Sequence, residues 1–214
     1  MASSAGRGTL CIDCSTIGPS ATRSIAGALA EREIELIDAP VTGSAPRARD
    51  GTLTIMVGGS KEAFARGLPV LEAMGKLIVH AGPLGHGQMV KLINNSVAAT
   101  NAAVVGEALL VARRAGLDLD ALAKVMGAGS GASAMLELKA EAMRRHDFTP
   151  LFKLEHMLKD VRLCLEEGQA AGAPFQFAAQ TREILTAAMG RGRGQDDFAA
   201  LVEVLEGLAG VRLE

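Results

Sequence analysis

The period of hydrophobic and polar positions changes once along the chain, near Gly87. Before that point short apolar runs alternate with helical stretches. Leu10-Cys-Ile-Asp13, Ile34-Glu-Leu-Ile-Asp38, Thr52-Leu-Thr-Ile-Met-Val57 and Lys76-Leu-Ile-Val-His80 read as strands. Pro19 opens a helix to about Arg32, and a second helix covers Lys61 to Met74. Ala39 to Asp50 is rich in Pro, Gly and Ala without an apolar period and reads as a loop. Such alternation predicts an α/β layer with a largely parallel sheet. After Gly87 no strand pattern recurs, and helices are predicted over 88–115, 118–126, 132–145, 153–171, 174–190 and 196–209. The chain therefore divides into an α/β domain over 1–82 and an all-helical domain over 83–214, joined by the helix at about 88–115.

That joining helix is set apart from the others. No Gly or Pro occurs between Gly87 and Gly106, so it should run for roughly 28 residues and roughly 40 Å. Met89, Leu92, Ile93, Val97, Val104, Val105, Ala108, Leu109 and Val111 cover more than one stripe, which predicts packing on most sides. Lys91 and Asn95 are the exceptions, one turn apart on one face near the helix start. A lysine buried there must be paired or working, because desolvating an ammonium is costly. The bland alternative is a lysine that snorkels to the surface.

Composition narrows the classes. Of 214 residues 49% are hydrophobic, ample for a core, and with no Trp or Tyr that core must be aliphatic. A net charge of -2 offers no general attraction to nucleic acid or to an anionic membrane. Cys11, Cys14 and Cys164 make no disulfide framework, which points to a reduced, cytoplasmic protein. Cys11-x-x-Cys14 falls largely within a strand and not at a helix start, so a thioredoxin-like pair is not expected. The four histidines have no ligand spacing, and no metal is expected. The N-terminal stretch lacks an apolar signal core, and Lys91, Asn94, Asn95, Asn101 and Glu107 interrupt the central helix, so no membrane span is predicted.

Two absences bear on the α/β layer. No Gly-x-Gly-x-x-Gly follows a first strand, and Gly6-Arg-Gly8 has neither a strand before it nor a helix after it. The strands are few for a doubly wound sheet, and the first would leave an open apolar edge. The layer reads as though it begins in the middle of a domain.

Four segments, in order, carry a resemblance: Asp13-Cys-Ser-Thr-Ile17; Asp38-Ala-Pro-Val-Thr-Gly-Ser44 with Asp50-Gly-Thr-Leu-Thr-Ile-Met-Val-Gly-Gly59; Gly82-x-x-Gly85 through Lys91-x-x-x-Asn95; and Phe152 through Lys159-Asp160. They are similar to the β-hydroxyacid dehydrogenases, the group of 3-hydroxyisobutyrate dehydrogenase, tartronate semialdehyde reductase and the glyoxylate or succinic semialdehyde reductases. The resemblance implies an α/β remnant of a Rossmann-like NAD(P)-binding domain, lacking about 80 N-terminal residues with the glycine-rich turn. An all-α domain of the 6-phosphogluconate dehydrogenase C-terminal type would follow. It implies hydride transfer between NAD or NADP and a small 3-hydroxy acid or its semialdehyde. A catalytically incompetent fragment that only self-associates through its helices is the alternative, and without the fingerprint NAD(P) binding is expected to be weak or absent. The implied partners are a small carboxylate substrate and further copies of the chain, as a dimer or higher oligomer.

The resemblance also assigns residues. Lys91 resembles the catalytic lysine; independently, burial and the positive end of a helix both disfavour its charged form and lower its pKa toward the range useful for proton transfer. Asn95 resembles the partner asparagine that holds substrate oxygen and lysine, with Asn94 structural. Thr42-Gly43-Ser44 resembles the substrate-gripping loop, commonly Ser-Gly-Gly, in which backbone N–H groups and a hydroxyl cradle a carboxylate. Thr42 keeps the hydroxyl, and Ser44 adds a side chain that narrows or shifts the pocket. Arg47 and Arg49 are read as solvated. Thr16 resembles the position touching the nicotinamide-side ribose, and equally suits a helix cap. Lys159 resembles the second lysine, which meets cofactor and substrate carboxylate. Phe152 carries little weight. Lys91, Asn95, Lys159, Thr42–Ser44 and Thr16 are expected to converge on one cleft between the two domains.

Overall fold

The computed structural model of the chain describes residues 5–213; residues 1–4, at the head of the stretch without a signal core, and residue 214 lie outside the described residues. The chain forms two compact units, Met1–Asn94 and Asn95–Glu214.

The first unit holds β1 (Leu10–Asp13), α1 (Pro19–Ala30), β2 (Glu35–Asp38), β3 (Val41–Thr42), α2 (Ser44–Arg49), β4 (Leu53–Gly58), α3 (Lys61–Glu72) and β5 (Gly75–Gly82). They form one five-stranded sheet in the order β1-β2-β4-β3, with β5 also on β4. β1 pairs β2 in parallel from Leu10↔Glu35 to Asp13↔Asp38, and β4 pairs β5 in parallel. β2 and β3 both run antiparallel to β4, through Asp38↔Gly58 and then Val41↔Ile55 and Thr42↔Thr54. They are two pieces of one line, and the carbonyl of Pro40 in the gap accepts from Met56 N at 3.0 Å.

Three expectations are corrected here. The sheet is mixed, not largely parallel. The stretch 39–50 is not a loop throughout: it carries β3 and α2. All six residues of α2 are exposed, so nothing selects an apolar period there, and Pro46 is tolerated in a first turn. The α/β remnant is the third. Counting four parallel strands left the sheet short, whereas β3 and the reversal of β4 give a five-stranded sheet around a core of its own. Ile37, Ile55, Val57 and Leu71 are fully buried in that core. β1 ends the strand order, half-buried, with Leu10 and Ile12 packed on the same cluster. α3 begins at Ser60, whose Oγ accepts from Ala63 N at 3.0 Å, and crosses the sheet at Gly67. A Cβ on Gly67 would sit 2.8 Å from Ile37 Cδ1.

α4 (His86–Arg114) is a single helix of 29 residues. By length and composition it could cross a membrane, but its most apolar window is 56% buried inside the fold. Packing on most sides was expected; instead Val90, Ile93, Val97, Val104 and Val111 form an exposed stripe, from 42% to 68% accessible.

The second unit adds α5 (Leu119–Ala128), α6 (Ala134–Arg144), α7 (Leu154–Ala170), α8 (Gln176–Gly190), a 3-10 turn at Phe198–Leu201 and α9 (Val202–Ala209). Ala99, Ala102 and Leu109 of α4 pack in one core with Met143, Leu154, Val161, Leu185 and Leu201. Within this core Lys139 and Asp197, each 3% exposed, pair at 2.8 Å. The Asp197 carboxylate also accepts from the backbone N–H groups of Leu151, Phe152 and Ala199 at 2.9, 3.1 and 2.9 Å. The Lys139 ammonium lies 4.4 Å from the centre of the Phe198 ring. One carboxylate thus ties α6 to the loop before α7 and to the start of the 3-10 turn. Lys139→Met should strand that carboxylate in the core and cost about 3–5 kcal/mol. Urea unfolding measures it, and a loss within experimental error would show that the pair is not buried in solution.

Candidate active site

The end of β2 fixes the start of α4. The Asp38 carboxylate, wholly buried, accepts from Gly85 N at 2.7 Å through Oδ1 and from Gln88 N at 2.8 Å through Oδ2. Those N–H groups lie just before and within the first turn of α4, where a negative charge is stabilised by unpaired donors and the helix dipole. Two glycines make room for it. A Cβ on Gly58 would lie 2.3 Å from Asp38 Oδ1, and one on Gly87 would lie 2.3 Å from the carbonyl oxygen of Met56 and 2.8 Å from Asp38 Oδ2. The notch therefore excludes any side chain at 58 or 87.

The same turn holds the loop after β1. Gln88, with no exposed surface, accepts from Ile17 N at 3.2 Å through Oε1 and donates from Nε2 to the carbonyl of Ser15 at 2.8 Å. Thr16, half-buried, lies between those two anchors, while the cap of α1 falls on Gly18. Lys91 follows three residues after Gln88 and is only 6% exposed. At the other end of the β2–β3 line, Thr42 is half-buried, and the chain turns into α2 through Gly43 and Ser44 at φ 134° and 56°. Ser44 thus occupies a conformation that favours glycine, the residue usual at that position in the family it resembles.

In the second unit two predicted residues meet. Asn95, 5% exposed, donates from Nδ2 to Asp160 Oδ2 at 2.7 Å, and Asp160 is itself 1% exposed. The Lys159 ammonium, on a half-exposed side chain, lies 3.0 Å from Asp160 Oδ1, an ion-pair contact at an oxygen that takes no hydrogen bond. A carboxylate accepts only, so this contact orients the amide with Nδ2 toward Asp160 and Oδ1 away from it. Phe152 is half-buried against the helical core and stacks edge-on with Phe198 at 6.4 Å, a packing role.

Asp38, Gln88 and Asp160 were not singled out as site residues in the sequence. Asp38 and Asp160 stand inside motifs that were recognised, and a carboxylate closing a strand or following a lysine was the available signal. Gln88 offered none, since its partners lie more than 70 positions away. Other candidates give no site. Among the described residues no three His, Cys, Asp or Glu side chains could share a metal ion. Cys11 and Cys14 are free thiols, and partial burial, then the charge of Asp13, push the Cys14 thiol up and away from reactive thiolate. Two open cavities of about 520 and 500 Å³, the first by Arg191 and Glu203 and the second by Ser60 and His80, include none of the predicted residues.

Residues 85–205 match the family described as NAD-binding of NADP-dependent 3-hydroxyisobutyrate dehydrogenase, and residues 1–82 match the NAD binding domain of 6-phosphogluconate dehydrogenase. The chain belongs to the 3-hydroxyisobutyrate dehydrogenase family. It is 37% identical to 2-(hydroxymethyl)glutarate dehydrogenase of Eubacterium barkeri, over 95% of this chain and 68% of that protein. It is 36% identical to 2-hydroxy-3-oxopropionate reductase of Escherichia coli K12, over 97% and 71%. A Mycobacterium tuberculosis 3-hydroxyisobutyrate dehydrogenase structure with L-serine superposes with a TM-score of 0.87 at 30% identity, over 96% of this chain and 72% of that one.

As a family member the chain is an NAD(P)-dependent oxidoreductase acting on small hydroxy acids. The reading of its first part as a remnant is corrected by the match of an NAD-binding domain across residues 1–82. The incompetent-fragment alternative draws no support from these relatives. The residues present fit a bound dinucleotide in one respect: Thr16 follows the carboxyl end of β1, where open α/β sheets receive ligands, and its loop is held at both ends.

Asp38→Asn would keep one acceptor at the α4 start and turn an amide N–H toward the other donor. The expected loss is about 1–3 kcal/mol, read by denaturant unfolding; an unchanged midpoint would mean that the carboxylate does not hold the helix start.

Proposed function

We propose that the chain transfers a hydride between NAD or NADP and a 3-hydroxy acid, or its semialdehyde, of the 3-hydroxyisobutyrate or tartronate semialdehyde kind. The observation that carries this reading is a buried lysine, Lys91, one helical turn before Asn95, whose amide is oriented by a buried carboxylate. NAD(P), when bound, supplies or takes up the hydride. Lys91 donates a proton to the carbonyl oxygen in reduction and takes it back from the hydroxyl in oxidation. Asn95 steadies that oxygen. Thr42, Gly43 and Ser44 receive the substrate carboxylate with a hydroxyl and backbone N–H groups. Thr16 touches the cofactor ribose, and Lys159 adds positive charge for cofactor and substrate carboxylate.

In this reading residues 83–214 serve as the substrate and dimerisation domain, and the protein works in the cytoplasm as a homo-oligomer, with neither nucleic acid nor membrane as a partner. The exposed valine stripe on α4 supports self-association, because so much apolar surface along one helix is stabilised by being covered. The names of the relatives support small hydroxy acids that carry a carboxylate.

The test is turnover of 3-hydroxyisobutyrate, tartronate semialdehyde, glyoxylate, succinic semialdehyde, L-serine and 2-(hydroxymethyl)glutarate with each cofactor. Lys91→Ala should lower kcat/KM on the best of them by about 100-fold or more. Turnover that survives the substitution would sink the assignment of Lys91. In sedimentation at tens of micromolar the chain should run as a dimer or larger, and Val104→Glu should shift it toward monomer; a wild-type chain that stays monomeric would remove the oligomer from the reading.

A further inference from the structure

Gln88 bonds to both sides of Thr16. Its side-chain amide accepts the N–H of Ile17 at 3.2 Å and donates to the carbonyl of Ser15 at 2.8 Å, as a neighbouring strand would. The stretch 14–18 lies in neither helix nor strand, so its backbone groups must find other partners. Ser15 N donates to Asp13 Oδ1 at 3.0 Å, and Gln88 pairs the Ser15 carbonyl and the Ile17 N–H on either side of Thr16. Gln88 is itself fixed: it has no exposed surface, and its backbone N–H is bound to Asp38 Oδ2 at 2.8 Å. The brace therefore runs from the end of β2, through the first turn of α4, to the loop after β1. Lys91 lies three residues beyond Gln88 on the same helix, so both ends of the brace are set by one turn.

We propose that Gln88 is a positioning residue for hydride transfer: it fixes Thr16, and with it the nicotinamide-side ribose, relative to Lys91. This rests on the roles given above to Thr16 and Lys91. The glutamine length is what the brace requires. Asparagine is one methylene short, methionine fills the space without either bond, and glutamate accepts from Ile17 but turns a second acceptor toward the carbonyl of Ser15.

The test uses the whole chain with Gln88→Met and Gln88→Glu. Without cofactor, exchange of the Ile17 amide hydrogen should accelerate in Gln88→Met and stay at the wild-type rate in Lys91→Ala. With cofactor, Gln88→Met should raise the Kd for NAD(P)H, read by fluorescence, and lower kcat, each by about tenfold, while KM for the hydroxy acid stays within about twofold. In Gln88→Glu the deficit, taken relative to wild type at each pH, should shrink as pH falls and the new carboxyl protonates, because the neutral acid regains a donor for Ser15. That recovery would not come from a residue that only fills space. Should Gln88→Met fail to fold, the pH profile of Gln88→Glu decides. Wild-type Ile17 exchange and cofactor affinity in Gln88→Met, beside an inactive Lys91→Ala, would overturn the inference alone; an active Lys91→Ala would overturn the site assignment and the inference with it.

Discussion

The first unit depends on one buried carboxylate placed against the unpaired donors of a helix. Asp38 ends β2, and its two oxygens take N–H groups of the segment that starts α4. A charge with no exposed surface is tolerable only with such partners, and the helix start supplies both the hydrogen bonds and a favourable dipole. From this contact follow the position of Gln88, the anchoring of the loop that carries Thr16, and the direction in which α4 brings out Lys91. The sheet, the loop after β1 and the lysine are thus registered to one another through a few hydrogen bonds that need no flexible segment to close them.

The second unit solves a different problem with the same chemistry. Its helices pack aliphatic side chains, and in so dry a setting each polar group must be answered. Asp160 answers Asn95 on one oxygen and meets the Lys159 ammonium on the other, although only Lys159 reaches solvent. Asp197 does the same for Lys139 and three backbone donors. The two carboxylates differ in consequence. Asp197 spends its acceptors on holding the fold, whereas Asp160 uses one of them to set which atom of Asn95 faces away from it.

What the sequence disclosed follows from which contacts are local. The strand at Leu10–Asp13, the helix from Lys61 and the long α4 each carry their signal within a few residues, as a short apolar run, a helical stretch after Gly58-Gly59, and a run without Gly or Pro. β3 and α2 carried none, because α2 buries no side chain and β3 is two residues long. The direction of β4 was hidden for another reason: antiparallel pairing to β2 hangs on one bridge, Asp38↔Gly58, which no periodicity encodes. In the site, Lys91 stood out as a cation in an apolar stretch. Gln88 and Asp38 did not, since their work is done on partners 47 to 73 positions away.

The glycine notch around Asp38 has a consequence for how this scaffold can diversify. With a backbone oxygen at 2.3 Å from a Cβ on 87, and a carboxylate oxygen at the same distance from one on 58, positions 38, 58 and 87 are locked as a set: no single substitution that adds bulk has a neighbour able to retreat. The turn at Thr42, Gly43 and Ser44 is confined mainly at Gly43, whose φ is 134° and whose added Cβ would lie 2.7 Å from Arg47 Cδ, a side chain on a helix with no buried residue. Drift and selection are therefore channelled. In the function proposed above, variation that alters the acid accepted can accumulate at the rim of the turn, beside Thr42 and Ser44, while the geometry that presents Lys91 stays outside its reach, so that catalytic machinery and substrate preference evolve as separable modules.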